Sequence, residues 1–273
     1  GDVYKRQNHD WANGSPLDDG REALARQEVW LEEFSNGRDV RFLPDDGCPG
    51  PVTRDVADVH LVFIDTEWVL RDTDGRCGSA EEFYERLAAD LSAHADRRIV
   101  WLSHHPLASG GPHGGNVPPL TRGPFVWYLA SLSGVSRQDL GSPAYTALRQ
   151  GLTGAIARSG VRPLVHAAGH DHTLQVIRLD APDEPRYQLV SGALSRTENV
   201  RRIDGMRYGS NGFGYMRLDF FAGHVALSVY RRDVSGGPVE TVFQCAIEDA
   251  EDEDPRESPP EGCPEAPLVA DGA

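Results

Sequence analysis

The chain has 273 residues, 39% hydrophobic and 25% charged, enough for one large domain or two small ones whose core needs no staples. Its 27 basic and 42 acidic residues give a net charge of −15 with no offsetting basic block, which argues against binding along a nucleic-acid backbone. No run of about 18 apolar residues is present to span a bilayer as a helix.

Residues 1–7 hold Lys5, the one lysine, where every other basic residue is arginine. They read as a non-native leader, resembling translated adapter sequence joined to a truncated gene. Asn8-His9-Asp10 follows. Leu17, Leu24, Trp30, Leu31 and Phe34 recur at a roughly helical period behind Asp18 and Asp19, which suit a helix N-terminus. A helix is therefore predicted from Asp18 to Phe34, stopped by Asn36-Gly37. His60–Ile64 fits a short buried strand ending at Asp65. Ser79 as N-cap, Glu81 and Glu82 in the first turn, and Phe83, Leu87 and Leu91 on one face predict a second helix to about Ala95.

Ile99–Leu102 predicts the next buried strand, which runs straight into Ser103-His104-His105-Pro106. Ala108–Pro124 is rich in Gly and Pro and carries His113. A short helix is predicted over Phe125–Leu132, and a longer one over Pro143–Arg158 with Tyr145, Leu148, Leu152 and Ile156 on one face. Pro163–Ala168 is a strand that ends at Gly169-His170-Asp171-His172. Thr173–Leu179, Tyr187–Val190, Gly214–Phe221, Val225–Arg231 and Val239–Ala246 read as further strands. Alternating helices and strands followed by strands alone predict an α/β sandwich whose second sheet is largely antiparallel. Residues 247–273 are acidic, Pro-rich and free of aromatics, the composition of a disordered tail or linker.

The four cysteines form no Cys-x-x-Cys pair, which argues against a zinc ribbon or redox dithiol. Cys48 and Cys77 lie in separate Gly-containing loops; a bridge between them in an oxidising compartment and free buried thiols are both open.

Of the ten histidines, His9, His104, His105, His113, His170 and His172 lie in loops at or near strand ends. Imidazoles gathered there, with Asn8 and Asp10, supply the neutral nitrogens and oxygen donors that a borderline metal ion needs. His166 reads as a core residue, and His60, His94 and His224 as structural or surface residues.

These residues resemble the calcineurin-like metallophosphoesterases, in particular the branch similar to purple acid phosphatases. The family's motifs run Asp-x-His, Gly-Asp, Gly-Asn-His-Asp, a strand-terminal His, and Gly-His-x-His. Asn8-His9-Asp10, His104 and Gly169-His170-Asp171-His172 match the last three in order. The segment His104-His105-Pro106 with His113-Gly114, and the turn Ser191-Gly192-Ala193, also look like that branch. The resemblance covers residues 8–246. It implies an α/β/β/α sandwich with mixed sheets, lacking its first strands, since the first two motifs are not found. Gln7 also stands where the family has Gly.

The resemblance implies two divalent or trivalent ions, Fe, Zn or Mn. Asn8, His104 and His170 would bind one of them and His172 the other. His9 would meet the phosphate with Asp10 holding its ring, His113 would bind phosphate or protonate the leaving group, and His105 would support or pack. The implied reaction is hydrolysis of a small-molecule phosphate ester, a monoester, by a hydroxide bridging the two ions. A chain lacking the first two motifs is expected to be impaired. A phosphodiesterase and a non-catalytic phosphate-binding module are the alternatives. A mononuclear zinc hydrolase would need a spacing such as His-Glu-x-x-His, which does not occur. The acid-phosphatase likeness and the possible bridge point to a periplasmic or secreted protein.

Overall fold

In a computed structural model of the chain, the residues described are 2–12, 16–45, 47–71, 75–114, 137–232, 237–248 and 263–268. The first half contains β1 (Asp2–Lys5), α1 (Leu17–Ser35), β2 (Val40–Leu43), β3 (Val52–Val56), β4 (Val59–Phe63), α2 (Thr66–Leu70), α3 (Ala80–Ala93), β5 (Arg98–Leu102) and a 3-10 turn (Pro112–Gly114). Then come α4 (Pro143–Ser159), β6 (Val165–Ala168), β7 (Leu174–Arg178), β8 (Tyr187–Ser191), β9 (Met206–Ser210), β10 (Phe213–Phe220), β11 (Val225–Arg232) and β12 (Val239–Glu248). The helix predicted over Phe125–Leu132 lies outside the described residues.

The main sheet has seven strands in the order β3-β4-β5-β6-β8-β7-β9. β4, β5, β6 and β8 run parallel, while β3 and β7 are antiparallel to their neighbours. A second sheet, β10-β11-β12, is wholly antiparallel. β1 and β2 form a separate parallel pair.

The main sheet is buried on both faces, which accounts for the nearly continuous apolar runs of its central strands. On one face Val62, Ile64, Ile99 and Trp101 pack against Phe83, Leu87 and Leu91 of α3 and Leu148, Leu152 and Ile156 of α4. On the other, Val100, Val165, Val176 and Leu189 meet Val225, Leu227, Val229 and Phe243 of the second sheet. The helices begin where their capping chemistry places them. Ser79 and Glu82 make a reciprocal capping box, worth about 1 kcal/mol, and the Ser142 hydroxyl accepts the Tyr145 amide. Asn36 ends α1 in the left-handed conformation.

Several elements lie outside the sequence expectations: β1, β2, β3, β9 and the five-residue α2. The expected tail also needs correcting. β12 continues to Glu248, and Cys263 is buried and disulfide-bonded to Cys245, while Ala266 donates its amide to the Arg207 carbonyl (2.7 Å). A cysteine pair fastens residues 263–268 at Cys263. The second disulfide is Cys48–Cys77, so none of the four thiols is free. No helix among the described residues is long and apolar enough to cross a membrane.

Candidate metal centre

β4, β5 and β6 are parallel neighbours, so the loops after them share one edge of the sheet, the usual place for a ligand in such architectures. The ladder between β5 and β6 continues into those loops: Ser103 donates to the Ala167 carbonyl (3.1 Å) and Gly169 to the His104 carbonyl (3.0 Å). That register sets His104 beside His170. Nε2 of His104 lies 3.2 Å from Nδ1 of His170. Two nitrogens bound to one tetrahedral ion at about 2.0–2.1 Å lie about 3.3 Å apart, so the pair is already spaced for an ion. His170 takes a left-handed backbone, φ 67°, uncommon for a residue with a Cβ and typical of functional turns.

The His170 tautomer follows from its partner. Nε2 of His170 donates to the Gln138 carbonyl (2.7 Å), which leaves Nδ1 as a lone pair facing His104. Burial, with His105 and other imidazoles nearby, holds both His104 and His170 well below the ordinary imidazole value, so both are neutral ligands at neutral pH. Asn8 borders the same cluster through Gln138, whose side-chain oxygen faces the Asn8 amide nitrogen at 3.4 Å. The other end of that amide, Asn8 Oδ1, is buried without a hydrogen-bond partner. A buried oxygen without a partner, on a residue linked to the cluster through Gln138, is of the donor type that a borderline cation takes together with imidazole nitrogens.

His105 also lies within the cluster of possible ligands. Both its nitrogens are spent, however: Nδ1 on Thr66 Oγ1 (2.8 Å) and Nε2 on Gln138 Oε1 (2.6 Å). Gln138 Nε2 in turn donates to the buried Glu67 (2.7 Å), so Oε1 must accept and His105 Nε2 must carry the proton. Burial pushes His105 down to about 3. It is a neutral support that locks Gln138, and through Gln138 it locks His170.

His113 enters from the 3-10 turn. Its ring lies over that of His170, centroids 4.1 Å apart, and its Nδ1 is held by Asp139 at 2.8 Å. Burial lowers its proton affinity, but Asp139 and then Asp171 outweigh that and the net shift is upward. Asp171 shapes this loop: its buried carboxylate accepts from the Ser109 hydroxyl and from the His113 amide (3.0 Å). A Cβ on Gly111 would collide with that carboxylate.

His172 is held by other partners. Its Nδ1 meets Arg196 Nε at 2.5 Å and Glu198 at 3.3 Å. His9 is exposed. Asp10, expected to hold the His9 ring, accepts the Gln7 amide at 2.8 Å, and no bond joins it to His9 among the described residues. The turn is anchored by Trp11, whose buried indole donates to Asp65 (2.8 Å); Asp65 also caps α2 through the amides of Glu67 and Trp68. The structure therefore gathers Asn8, His104, His170 and His113, and sets His9, Asp10 and His172 around them. Sequence reasoning missed Gln138, Asp139, Asp171, Glu67 and Thr66. A motif-based signal existed only for Asp171, inside Gly-His-x-His.

No protein-family model matches the chain, and neither does any curated protein. Among solved structures, PhoD matches over 91% of this chain and 53% of its own, with 10% identity and a TM-score of 0.50. GAP50, described as the anchor in the inner membrane complex of Plasmodium, matches over 72% of this chain and 53% of its own, with 16% identity and a TM-score of 0.43. The chain spans about half the length of each. The likeness to PhoD and the mixed sheet define the fold as an α/β sandwich of the metallophosphoesterase type.

Proposed function

We propose that the chain carries part of the metal centre of a phosphate-ester hydrolase, of the branch resembling purple acid phosphatases. The approach of His104 Nε2 to His170 Nδ1, 3.2 Å apart at the ends of adjacent parallel strands, supports this best. Asn8, His104 and His170 would hold one ion, and His172 would serve a second. Such ions polarise phosphoryl oxygens and make water acidic near neutral pH. The chain's own residues do the rest. Gln138, held by His105 and Glu67, with Thr66 behind His105, fixes the His170 tautomer through its backbone carbonyl. His113, whose proton affinity Asp139 raises, stands over the cluster as the proton donor to a leaving alkoxide. His9, exposed beside the Asn8 turn, is free to meet phosphate. The two disulfides support an oxidising compartment, periplasmic or extracellular. A phosphomonoester is the preferred substrate, with a diester as the alternative.

A non-catalytic phosphate-binding module is the second reading, favoured by His172, whose Nδ1 partners are Arg196 and Glu198 rather than the His104 cluster. The test is hydrolysis of an aryl phosphate and of a bis-aryl phosphate during Zn²⁺ or Mn²⁺ titration. Slow metal-dependent turnover that disappears in His104→Ala is expected. Metal-dependent phosphate binding without turnover selects the module. Failure of the wild type to bind metal at His104 and His170 overturns both.

A further inference from the structure

Asp55, His60 and His94 lie together at the opposite edge of the main sheet from the candidate centre: Asp55 near the end of β3, His60 near the start of β4, and His94 capping the end of α3. One ligand atom from each lies within 4.8 Å of the others. We propose that these three residues form a separate site for a borderline divalent ion, with Zn²⁺ as the natural occupant.

Asp90 carries the argument beyond proximity. Its carboxylate takes Nε2 of the buried His60 at 3.1 Å, and its backbone carbonyl takes Nδ1 of His94 at 2.8 Å. Neither a carboxylate nor a carbonyl oxygen donates, so those two nitrogens carry the protons. Nε2 of His94 is then left for an ion, and Nδ1 of His60 becomes the second nitrogen once it gives up the proton it donates to Asp55. Metal-binding histidines are characteristically supported in this way, the outer N–H donating to a carboxylate or a carbonyl. The third ligand, the Asp55 carboxylate, lies 2.6 Å from His60 Nδ1. A proton now bridges that pair, and a cation entering there displaces it to solvent. Two nitrogens and one carboxylate oxygen, with Asp55 half exposed, leave room for water as a fourth ligand.

Binding requires one movement. The His60 and His94 rings are stacked, centroids 3.6 Å apart and 15° from parallel, so their in-plane lone pairs do not converge. His94 is the residue able to swing, since its side chain is 28% exposed whereas that of His60 is 1% exposed. A bound ion would tie the β3–β4 hairpin to the end of α3.

The metal-free full-length chain is titrated with Zn²⁺ by calorimetry, alongside His94→Gln and Asp55→Asn, both partly exposed positions whose fold is checked by circular dichroism. Wild type is expected to take up one more equivalent than either variant, or to bind that equivalent at least about tenfold more tightly. Asp90→Asn should keep the equivalent and weaken it by about 10- to 100-fold. Zn²⁺ should also shift the His60 and His94 ring-proton resonances as the stack opens. Identical stoichiometry and affinity in wild type, His94→Gln and Asp55→Asn overturn the site and leave the cluster as an ion-pair staple.

Discussion

His104 Nε2 faces His170 Nδ1 across 3.2 Å, each residue following the end of one of two adjacent parallel strands. Because β5 and β6 fix this separation before any ion arrives, little ordering is left for binding to supply. His104→Ala or His170→Ala is expected to weaken Zn²⁺ binding at this edge by at least about 100-fold, beyond the effect of removing an outer hydrogen bond. Asn8→Ala should cost about tenfold. Calorimetric titration measures all three, and unchanged affinity in both histidine variants would sink the centre.

The two replacements at position 170 should also differ from each other. At φ 67° a Cβ is strained, so His170→Gly should be more stable than His170→Ala by about 1 kcal/mol although both lack the ring. Urea melts compare them directly.

Asp139 holds His113 at 2.8 Å, so in the proposed hydrolase it would act through that ring. His113→Ala should lower kcat for aryl phosphate by about 10²-fold or more, the usual worth of a positioned proton donor. Asp139→Asn should lower it less, by about tenfold, with KM nearly unchanged. A KM effect with kcat intact would make His113 a binding group.

Asp65 links the sheet to the Asn8 turn. Its carboxylate satisfies the Trp11 indole and two amides of α2, all buried. Asp65→Ala leaves several donors unpaired and should cost about 3 kcal/mol or more by denaturant melt. Loss of metal affinity in the same variant would show that the anchor holds Asn8 in place.

What the sequence exposes and what it hides divide along physical lines. The helices containing Phe83 and Leu148 are legible because each buries one stripe, and the central strands because they are apolar on both faces; the helix containing Leu24 shows the same period although it leaves Trp30 and Phe34 exposed. β3 is not, since Val52-Thr53-Arg54-Asp55-Val56 is an edge strand with most of its side chains in water. The histidine ligands stand out by residue type and spacing. Gln138 does not, because half its work is done by a backbone carbonyl that any residue possesses. Asp139 escapes too, since its link to His113 joins residues 26 apart in the sequence and belongs to no motif. His60 and His94 read as ordinary because the hairpin and helix end that join them are far apart in the chain.

The disulfides should contribute through the unfolded chain. Closing separations of 29 and 18 residues removes denatured-state entropy worth about 3–4 kcal/mol each. Cys263→Ser should free residues 263–268 from Arg207 and make that segment the first to be cut in limited proteolysis. Equal protection of the segment in variant and wild type would show that the Ala266 bond alone suffices.

Acid sensitivity should trace in part to His166. It is fully buried in β6 against Trp101, and its Nε2 lies 2.6 Å from Ser103 Oγ. The Ser103 hydroxyl donates to the His105 carbonyl, so Nε2 is the donor and Nδ1 is left buried without a partner. Burial pushes the imidazole down from 6.5 to about 3. Between those values the unfolded chain binds a proton that the folded chain refuses, so stability falls as pH drops through that window and is unaffected by this group above it. Each pH unit inside the window is worth about 1.4 kcal/mol at most. His166→Gln removes the titration. The variant is expected to be less stable than wild type at pH 7, where it loses the fitted ring, and the gap should narrow by a few kcal/mol as the pH is lowered to 4. A gap that stays constant across urea melts from pH 7 to pH 4 would assign the acid limb to other groups.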